Sequence, residues 1–476
     1  MKKVLLLSLL LFCSSLLAEQ NSRVYENLTL DQALEAVQKD NLEVNIAGFD
    51  EDVARLGEKV ARGYSFGKLD AEMMGLRSNG AGNVFGFKLQ SREANFGDFG
   101  FSEFLSGIGG ALGQAGGNFG AFSQMMGNPD MSGQLLSTQP KDLNYPGSRN
   151  HFDNKLLYVL PLFTGWKLAS YRDIAKKMTK MSKLDKNKVL SQKEYEVRKT
   201  YFDISLLNKF EDDLTTIKNN IEHLKDATIT LRDEGYAKKS DYLEVESKLS
   251  NVERMLFQAQ TNRDLSYQFL GFLLNADIKS IKAISLDAAD CNLTEDDILA
   301  NNSDIKKARL GLKIQSNMVT VAKSAYLPEV GAFAEYGSSD DKFLNDFKDH
   351  DRYTVGLKAK LNLFNGGVDS AKLEQERVKA MKVETQIDLA QKGIVLKFKK
   401  IKTEINNLKM QIQSIKKEIE LTKEIYTSYQ ERYKEGLASI NDVVIKQSMQ
   451  IEKLLALLEL QNKRNEKVLQ IYKLAN

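Results

Sequence analysis

A short glycine-centred break occurs twice in this chain, each time between long helical patterns, and it limits the possible folds more than composition does. The downstream copy reads Tyr433-Lys434-Glu435-Gly436-Leu437-Ala438-Ser439-Ile440-Asn441-Asp442. The upstream copy reads Arg232-Asp233-Glu234-Gly235-Tyr236-Ala237-Lys238-Lys239-Ser240-Asp241. Both carry Glu-Gly, a small residue at Ala438 or Ala237, and an aspartate at Asp442 or Asp241. Glycine supplies a left-handed helix end, and Ser439 or Ser240 can help to start the following helix. Each copy is expected to form the tip of a helix hairpin.

Gly235 and Gly436 lie 201 residues apart, and the same offset relates Leu162-Phe163-Thr164-Gly165 to Leu363-Phe364-Asn365-Gly366. Farther upstream, Val60-Ala61-Arg62 matches Val321-Ala322-Lys323 at an offset of 261. The first half therefore carries about sixty additional residues between those landmarks, and the chain reads as a tandem duplication with one large insertion. The expected division is a leader at 1–18, a first repeat at 19–290 with an inserted extracellular loop at about 79–150, and a second repeat at 291–476.

Lys2 and Lys3, the apolar run Val4 to Phe12 and the small Ala18 have the form of a secretory signal. The run is too short to span a bilayer, and Phe12 before Cys13 argues against lipidation. Without Lys2 and Lys3 the formal charge falls from +3 to +1, so bulk charge points to no nucleic-acid partner. Cys291 alone follows the leader, which excludes an intrachain disulfide. His151, His223 and His350 show no ligand-like spacing, so no metal site and no cofactor is expected. No later segment has the length of a helical membrane span, and any crossing must use strands.

Thr29 is a plausible N-cap for a first helix reaching about Ala61. Phe66 to Gly75 then alternates, with Leu69, Ala71 and Met73 on one face and Lys68, Asp70 and Glu72 on the other, which predicts a strand. Phe85, Phe87 and Leu89 suggest a strand extension, and Gly107 to Gly120 reads as loop. A second strand is expected over 152–162, a helix over 166–233 with a heptad seam from Leu207 to Leu231, and a returning helix over 241–274. The second half repeats the order: a helix from Thr294 to before Pro328, a strand Val330 to Tyr336, an acidic loop Gly337 to Arg352 and a strand Tyr353 to Phe364. A helix from Gly367 to Lys434 follows, with a seam from Ile394 to Tyr433, and a last helix covers 442–474.

The fold class is thus mainly α with a small β part, a duplicated helix-strand-strand-helix-helix unit. Four strands of about ten residues suit a tilted membrane crossing, yet the smallest single-chain barrels of this type have about eight. An open edge in lipid leaves backbone groups unpaired at several kcal/mol each, so several copies must share one barrel. The helices, about 100 Å long at 1.5 Å per residue, would form a matching ring around a lumen.

The duplicated plan, the Leu-Phe-x-Gly strand ends, Phe85-Gly86-Phe87-Lys88-Leu89 and the Gly-Leu-Ala-Ser-Ile-x-Asp tip at 436–442 together resemble the TolC family of outer-membrane efflux channels. The resemblance implies a homotrimer in outer-membrane lipid, with a shared twelve-stranded β-barrel and a long coiled-coil α-barrel in the periplasm. It also implies a periplasmic adaptor and an inner-membrane transporter as partners. The adaptor-docking positions carry over to Gly235, Tyr236 and Ala237 and to Gly436, Leu437, Ala438 and Ser439, with Tyr236 replacing the usual leucine. Gate candidates by the same resemblance are Asp241, Asp442 and Tyr433. The second family aspartate falls on Ile445 and the gate arginine on Ala438, and Glu244, one turn after Asp241, could supply the missing charge. Against the gate reading stands the simpler one, that an Asp after a turn caps a helix.

An exit duct for small molecules is the favoured function. A type I protein-secretion duct is the alternative within the same fold, and a periplasmic scaffold without a pore is the alternative outside it. No nucleophile elbow, Walker loop or converging carboxylate pair points to an enzyme, and no catalytic residue is expected. The cargo is left open.

Overall fold

The computed structural model describes residues 23–475, so the leader expected at 1–18 lies outside the described residues. The chain forms two compact units. One, the helical unit, comprises residues up to Gly57, Ala175–Ser316 and Val378 onward; the other, the sheet unit, comprises Glu58–Ile174 and Asn317–Arg377.

The elements of the first part are β1 (Arg23–Tyr25), α1 (Leu30–Asp40), α2 (Leu42–Gly63), β2 (Lys68–Ser78), α3 (Ala81–Gln90), α4 (Phe101–Gln114), α5 (Phe119–Met126), α6 (Pro129–Leu136) and α7 (Lys141–Asn144). They continue with β3 (Arg149–Thr164), α8 (Lys167–Asp233), α9 (Lys239–Leu274) and β4 (Ala276–Ile278). Then come α10 (Glu295–Asn301), α11 (Ser303–Lys323), β5 (Glu329–Asp340), β6 (Asp351–Lys360), α12 (Val368–Lys434) and α13 (Ile440–Ala475). The chain is mainly helical with a small strand part. The two long helices α8 and α12 each have 67 residues, and the returning α9 and α13 each have 36.

In the helical unit the heptad seams are buried. Phe210, Leu214, Ile217, Ile221 and Leu224 of α8 pack with Val245, Val252 and Ala259 of α9, and with Tyr426 and Tyr433 of α12 and Ile440, Val443 and Ile451 of α13. Each fully buried Leu or Ile contributes about 1.5–3 kcal/mol, so the seam outweighs the weak intrinsic propensity of its β-branched members. A second cluster gathers β1 and α1 against Val197, Tyr201, Ile204, Leu270 and Leu273, where β1 pairs in parallel with β4. A third joins Phe202, Ile298, Phe398, Ile401 and Val468.

Two of the expected helices are broken. The segment expected to run unbroken to about Ala61 stops at Asp40 and restarts at Leu42, and the one starting after Thr294 stops at Asn301 and restarts at Ser303. The cause is the same in both. Asn41 Oδ1 accepts from Val44 N at 3.0 Å while its Nδ2 donates to the Leu273 carbonyl at 2.8 Å. Asn302 accepts from Ile305 N at 3.0 Å and donates to Leu474 O at 2.8 Å. Each asparagine caps the new helix and also takes up a carbonyl near the end of a returning helix, so the break removes otherwise unpaired backbone groups. The caps upstream are as expected at Thr29, whose Oγ1 accepts from Gln32 N at 3.3 Å, and at Thr294, whose Oγ1 accepts from Asp297 N at 3.2 Å.

The sheet unit holds an antiparallel sheet of order β2-β3-β5-β6. Its register puts Leu69 opposite Tyr158, Leu156 opposite Tyr336, Ala334 opposite Val355 and Ala332 opposite Leu357, which collects one apolar face. Glu72 opposite Lys155, Leu157 opposite Glu335 and Gly337 opposite Arg352 lie on the other face. There Lys155 Nζ lies 3.3 Å from Glu72 and 3.6 Å from Glu335, and Arg352 lies 2.5 Å from Asp153 and 3.8 Å from Glu335. The ladder shifts between Pro161 and Phe163, where proline has no N–H to give.

Strand limits differ from the alternation at several ends. The strand expected over Tyr353 to Phe364 stops at Lys360, because Lys360 pairs with Glu329, the first residue of β5 after Pro328. Beyond it no partner strand continues among the described residues. The acidic loop expected over Gly337 to Arg352 shrinks to residues 341–350, since both flanking strands extend into it. The first two strands are likewise found at Lys68–Ser78 and Arg149–Thr164.

The insert is largely helical, which corrects the loop reading. Phe85, Phe87 and Leu89 lie in α3 and not in a strand; Val84 is buried and the Phe87 ring stacks on His151 with centroids 4.1 Å apart. Gly107 to Gly113 lies within α4, and only the turn before α5 is irregular. A Cβ on Gly107 would sit 2.5 Å from Leu135 Cδ2, so this glycine permits the close approach of α4 and α6. Among the glycines that suggested a loop, Gly107 is thus a packing residue.

Candidate functional site at the hairpin tips

Each hairpin tip of the helical unit is built by backbone bonds around a left-handed glycine. Gly235 has φ +88 and Gly436 φ +72. Tyr236 N donates to Leu231 O at 2.7 Å, and Leu437 N donates to Arg432 O at 2.7 Å, so the residue after each glycine closes the bond that ends a helix on a left-handed residue. The two tips repeat each other at the offset seen in the sequence. This closure turns the next side chain outward: Tyr236 is 81 % exposed and Leu437 65 % exposed. Ala237 and Ala438 are half-buried, Ser439 is exposed, and Gly235 and Gly436 are exposed.

The helices leaving the tips are capped differently. Ser439 Oγ accepts from Asp442 N at 3.2 Å, while Asp442 Oδ2 accepts from Ser439 N at 3.2 Å and from Ser439 Oγ at 2.7 Å. Hydrogen bonds from the Ser439 hydroxyl first, and its backbone N–H second, hold the Asp442 carboxyl below the usual range. In the upstream copy α9 starts one residue before Ser240, so this serine is not the cap. Asp241 Oδ2 accepts from Lys238 N at 3.0 Å, and Ser240 Oγ donates to Asp241 Oδ1 at 3.2 Å. Both aspartates thus perform the capping expected of an Asp after a turn, and both stay half-buried beside the first turn of a returning helix. Glu244 is half-buried one turn beyond Asp241.

Tyr433 is 7 % exposed, and its hydroxyl donates to Thr228 Oγ1 at 3.3 Å. Burial raises its pKa, with the Thr228 hydrogen bond opposing. Tyr433 therefore joins the two hairpins inside one chain. Thr228 belongs to the α8 seam, where a hydroxyl among leucines and isoleucines was the available signal for this contact.

The arrangement also contains aromatic–cation pairs outside the repeated tip motif. Lys225 Nζ and the Arg232 guanidinium each stand 5.4 Å from the Tyr242 ring centroid. Arg432 stands 5.4 Å and Lys446 Nζ 5.2 Å from the Tyr429 ring centroid. Tyr242 also donates to Glu246 at 2.9 Å. Such contacts contribute about 0.5–1 kcal/mol each at exposed sites, enough to orient the basic side chains next to each tip. The signal in the sequence was a basic residue three positions from a tyrosine at Tyr429 and Arg432.

The comparisons with known proteins agree with this architecture. Residues 295–476 match the family model described as outer membrane efflux protein. The structure is similar to that of CusC, with a TM-score of 0.74 at 12% identity, covering 94% of this chain and 92% of that one. It is similar to the Campylobacter jejuni CmeC outer membrane channel, with a TM-score of 0.71 at 13% identity over 94% of this chain and 85% of that one. It is also similar to the outer membrane protein VceC of Vibrio cholerae, with a TM-score of 0.71 at 13% identity over 94% of this chain and 96% of that one. No curated protein sequence matches significantly. Residues 295–476 thus match the outer membrane efflux protein family, and nearly the whole chain shares the fold of these outer-membrane channels.

Proposed function

We propose that this protein is the passive exit duct of a tripartite efflux system: a homotrimeric outer-membrane channel that receives a periplasmic adaptor at its hairpin tips and is supplied by an inner-membrane transporter. The family is one of channels rather than enzymes, which supports an outer-membrane efflux channel.

The observation that carries the reading is the sheet. It has one face of Leu69, Met73, Leu156, Tyr336, Val355 and Leu357, all exposed in the single chain, and β2 and β6 form its outer edges. An apolar face of this kind suits lipid, and two free edges in lipid require partner strands. Three copies would supply twelve strands, with the ion-paired face of Glu72, Lys155, Glu335 and Arg352 toward an aqueous lumen. Among the described residues no helix is long and apolar enough to cross a membrane.

In this reading the two repeats, 19–290 and 291–476, each contribute two strands and one tip. Tyr236 and Leu437 are the side chains presented to the adaptor, and Asp241, Glu244, Asp442 and Tyr433 belong to the constriction. Single-channel conductance of the purified protein in planar bilayers tests the duct directly. Discrete openings from a detergent-stable trimer are expected; a monomeric mass in mild detergent with intact strand content, and no conductance, would remove the channel and leave a scaffold.

A further inference from the structure

The base of the insert holds a side-chain cluster that neither the tips nor the lipid face uses. Glu93 follows α3, Asp340 ends β5 and His350 precedes β6, and each offers a ligand-type atom within 4.8 Å of those of the other two. Glu93 is far in sequence from Asp340 and His350, which flank one hairpin loop, and all three belong to the sheet unit.

The histidine is oriented in a specific way. Its Nδ1 contacts the Ser91 carbonyl oxygen, which can only accept, so Nδ1 carries the proton and the lone pair of the neutral ring is at Nε2. Nε2 stands 4.0 Å from Asp340 Oδ2. Two acceptors therefore face each other across a gap too long for a hydrogen bond. A backbone carbonyl on the far ring nitrogen is also the arrangement that fixes the tautomer of metal-ligating histidines.

The carboxylates are held as firmly. The Asp340 side chain is 5 % exposed, with Oδ1 accepting from Asp341 N at 2.6 Å and Oδ2 from Asn345 Nδ2 at 3.2 Å. Glu93 pairs with Arg149, and its Oε2 accepts from Ser91 Oγ at 2.8 Å. Two carboxylates against one guanidinium leave a net negative charge at the cluster. Ligands bound about 2.1 Å from one ion stand about 3–3.5 Å apart, so movements under about 1 Å would complete a site.

We propose that Glu93, Asp340 and His350 bind one divalent cation of the Zn2+ class, clasping the base of the insert to the β5–β6 hairpin. One imidazole with two carboxylates favours such a cation over Ca2+ or Mg2+, which prefer oxygen alone. Water would complete the coordination. The clasp adds to the ion pair of Arg92 with Asp351, which links the same two segments at 3.7 Å.

The test is calorimetric titration of ZnCl2 into EDTA-treated full-length protein in detergent, with CaCl2 in parallel. One Zn2+ per chain is expected, bound at least tenfold more tightly than Ca2+, lost in His350→Ala and weakened tenfold or more in Asp340→Asn and Glu93→Gln. His223→Ala and Cys291→Ser should bind as the unchanged protein does. No Zn2+ binding, undiminished binding in His350→Ala, or loss in either control variant overturns the site. Limited proteolysis of the unchanged protein is independent of variant folding. Zn2+ should slow cleavage within 95–145 several-fold, and an unchanged rate would refute the clasp.

Discussion

The Tyr433 hydroxyl donates to Thr228 Oγ1 at 3.3 Å and so ties α12 to α8 within one chain, five residues short of the end of α8. One helical pattern upstream of Tyr433, Tyr426 occupies the same core with a buried hydroxyl that has no hydrogen-bond partner among the described residues. The two tyrosines make a natural comparison, because their rings share one environment and only one of their hydroxyls is used.

Tyr433→Phe should lower stability by about 1 kcal/mol, the usual net value of a lost hydrogen bond, whereas Tyr426→Phe should be neutral or stabilising, since it removes an unpaired buried hydroxyl. Denaturant unfolding followed by circular dichroism separates the two. Burial pushes the Tyr426 phenol up to about 12, so the fold favours its neutral form. That stabilisation of the fold is complete below about pH 10 and is lost as the pH rises from there through the folded-state value. Tyr426→Phe should flatten this alkaline loss; the same alkaline midpoint in both proteins would contradict it.

Gly436→Ala and Gly235→Ala should each cost about 1 kcal/mol or more, because alanine resists the left-handed region that both residues occupy. An added Cβ would meet nothing within 4 Å at either position, so the penalty is one of backbone and not of space. Thermal melts should therefore show similar losses for both tips, and a drop at one tip alone would mean that the tips are not equivalent folds.

The Asp442 carboxyl is held low by Ser439, so its contribution to the fold is present above the ordinary aspartate range and fades as the pH falls below about 4. Ser439→Ala removes the hydroxyl partner and should move the Asp442 titration upward toward the ordinary value. Carboxyl chemical shifts of Asp442 in the two proteins measure this. An unmoved titration would assign the shift to another cause.

Replacing Asp241 and Asp442 together by alanine tests the constriction. In a trimer they would place six carboxylates around a confined aqueous space, where focused fields attract cations. The double variant should lose cation selectivity and divalent-cation block in planar bilayers while remaining trimeric. Unchanged selectivity and block would reduce both residues to the capping roles already seen at Lys238 and Ser439.

The parts of the fold that were legible in sequence are those with a long repeated signal. The seams of α8 and α12 run over many turns, so no local residue could obscure them, and the glycine of each tip has a single structural meaning between two such helices. The helix breaks at Asn41 and Asn302 were not legible, because their reason is a bond to a carbonyl more than 170 residues away. The insert misled for another reason: Gly107 serves a helix–helix contact with Leu135, and composition alone cannot distinguish that use from a turn. The end of β6 depended on where its partner begins. At the tips, the positions of the capping aspartates were readable, whereas the Tyr433–Thr228 bond required knowing which faces of α8 and α12 meet.

The division of the chain into two units has a kinetic consequence. The five prolines are Pro129, Pro140, Pro146, Pro161 and Pro328, and every one falls within the sheet unit. The helical unit, for all its length, contains none. Prolyl isomerisation takes tens of seconds and is often the slowest event in refolding, so any phase of that kind, and any acceleration by a prolyl isomerase, belongs to the strands and the insert. The helices can reach their native state while the sheet unit is still sorting its isomers.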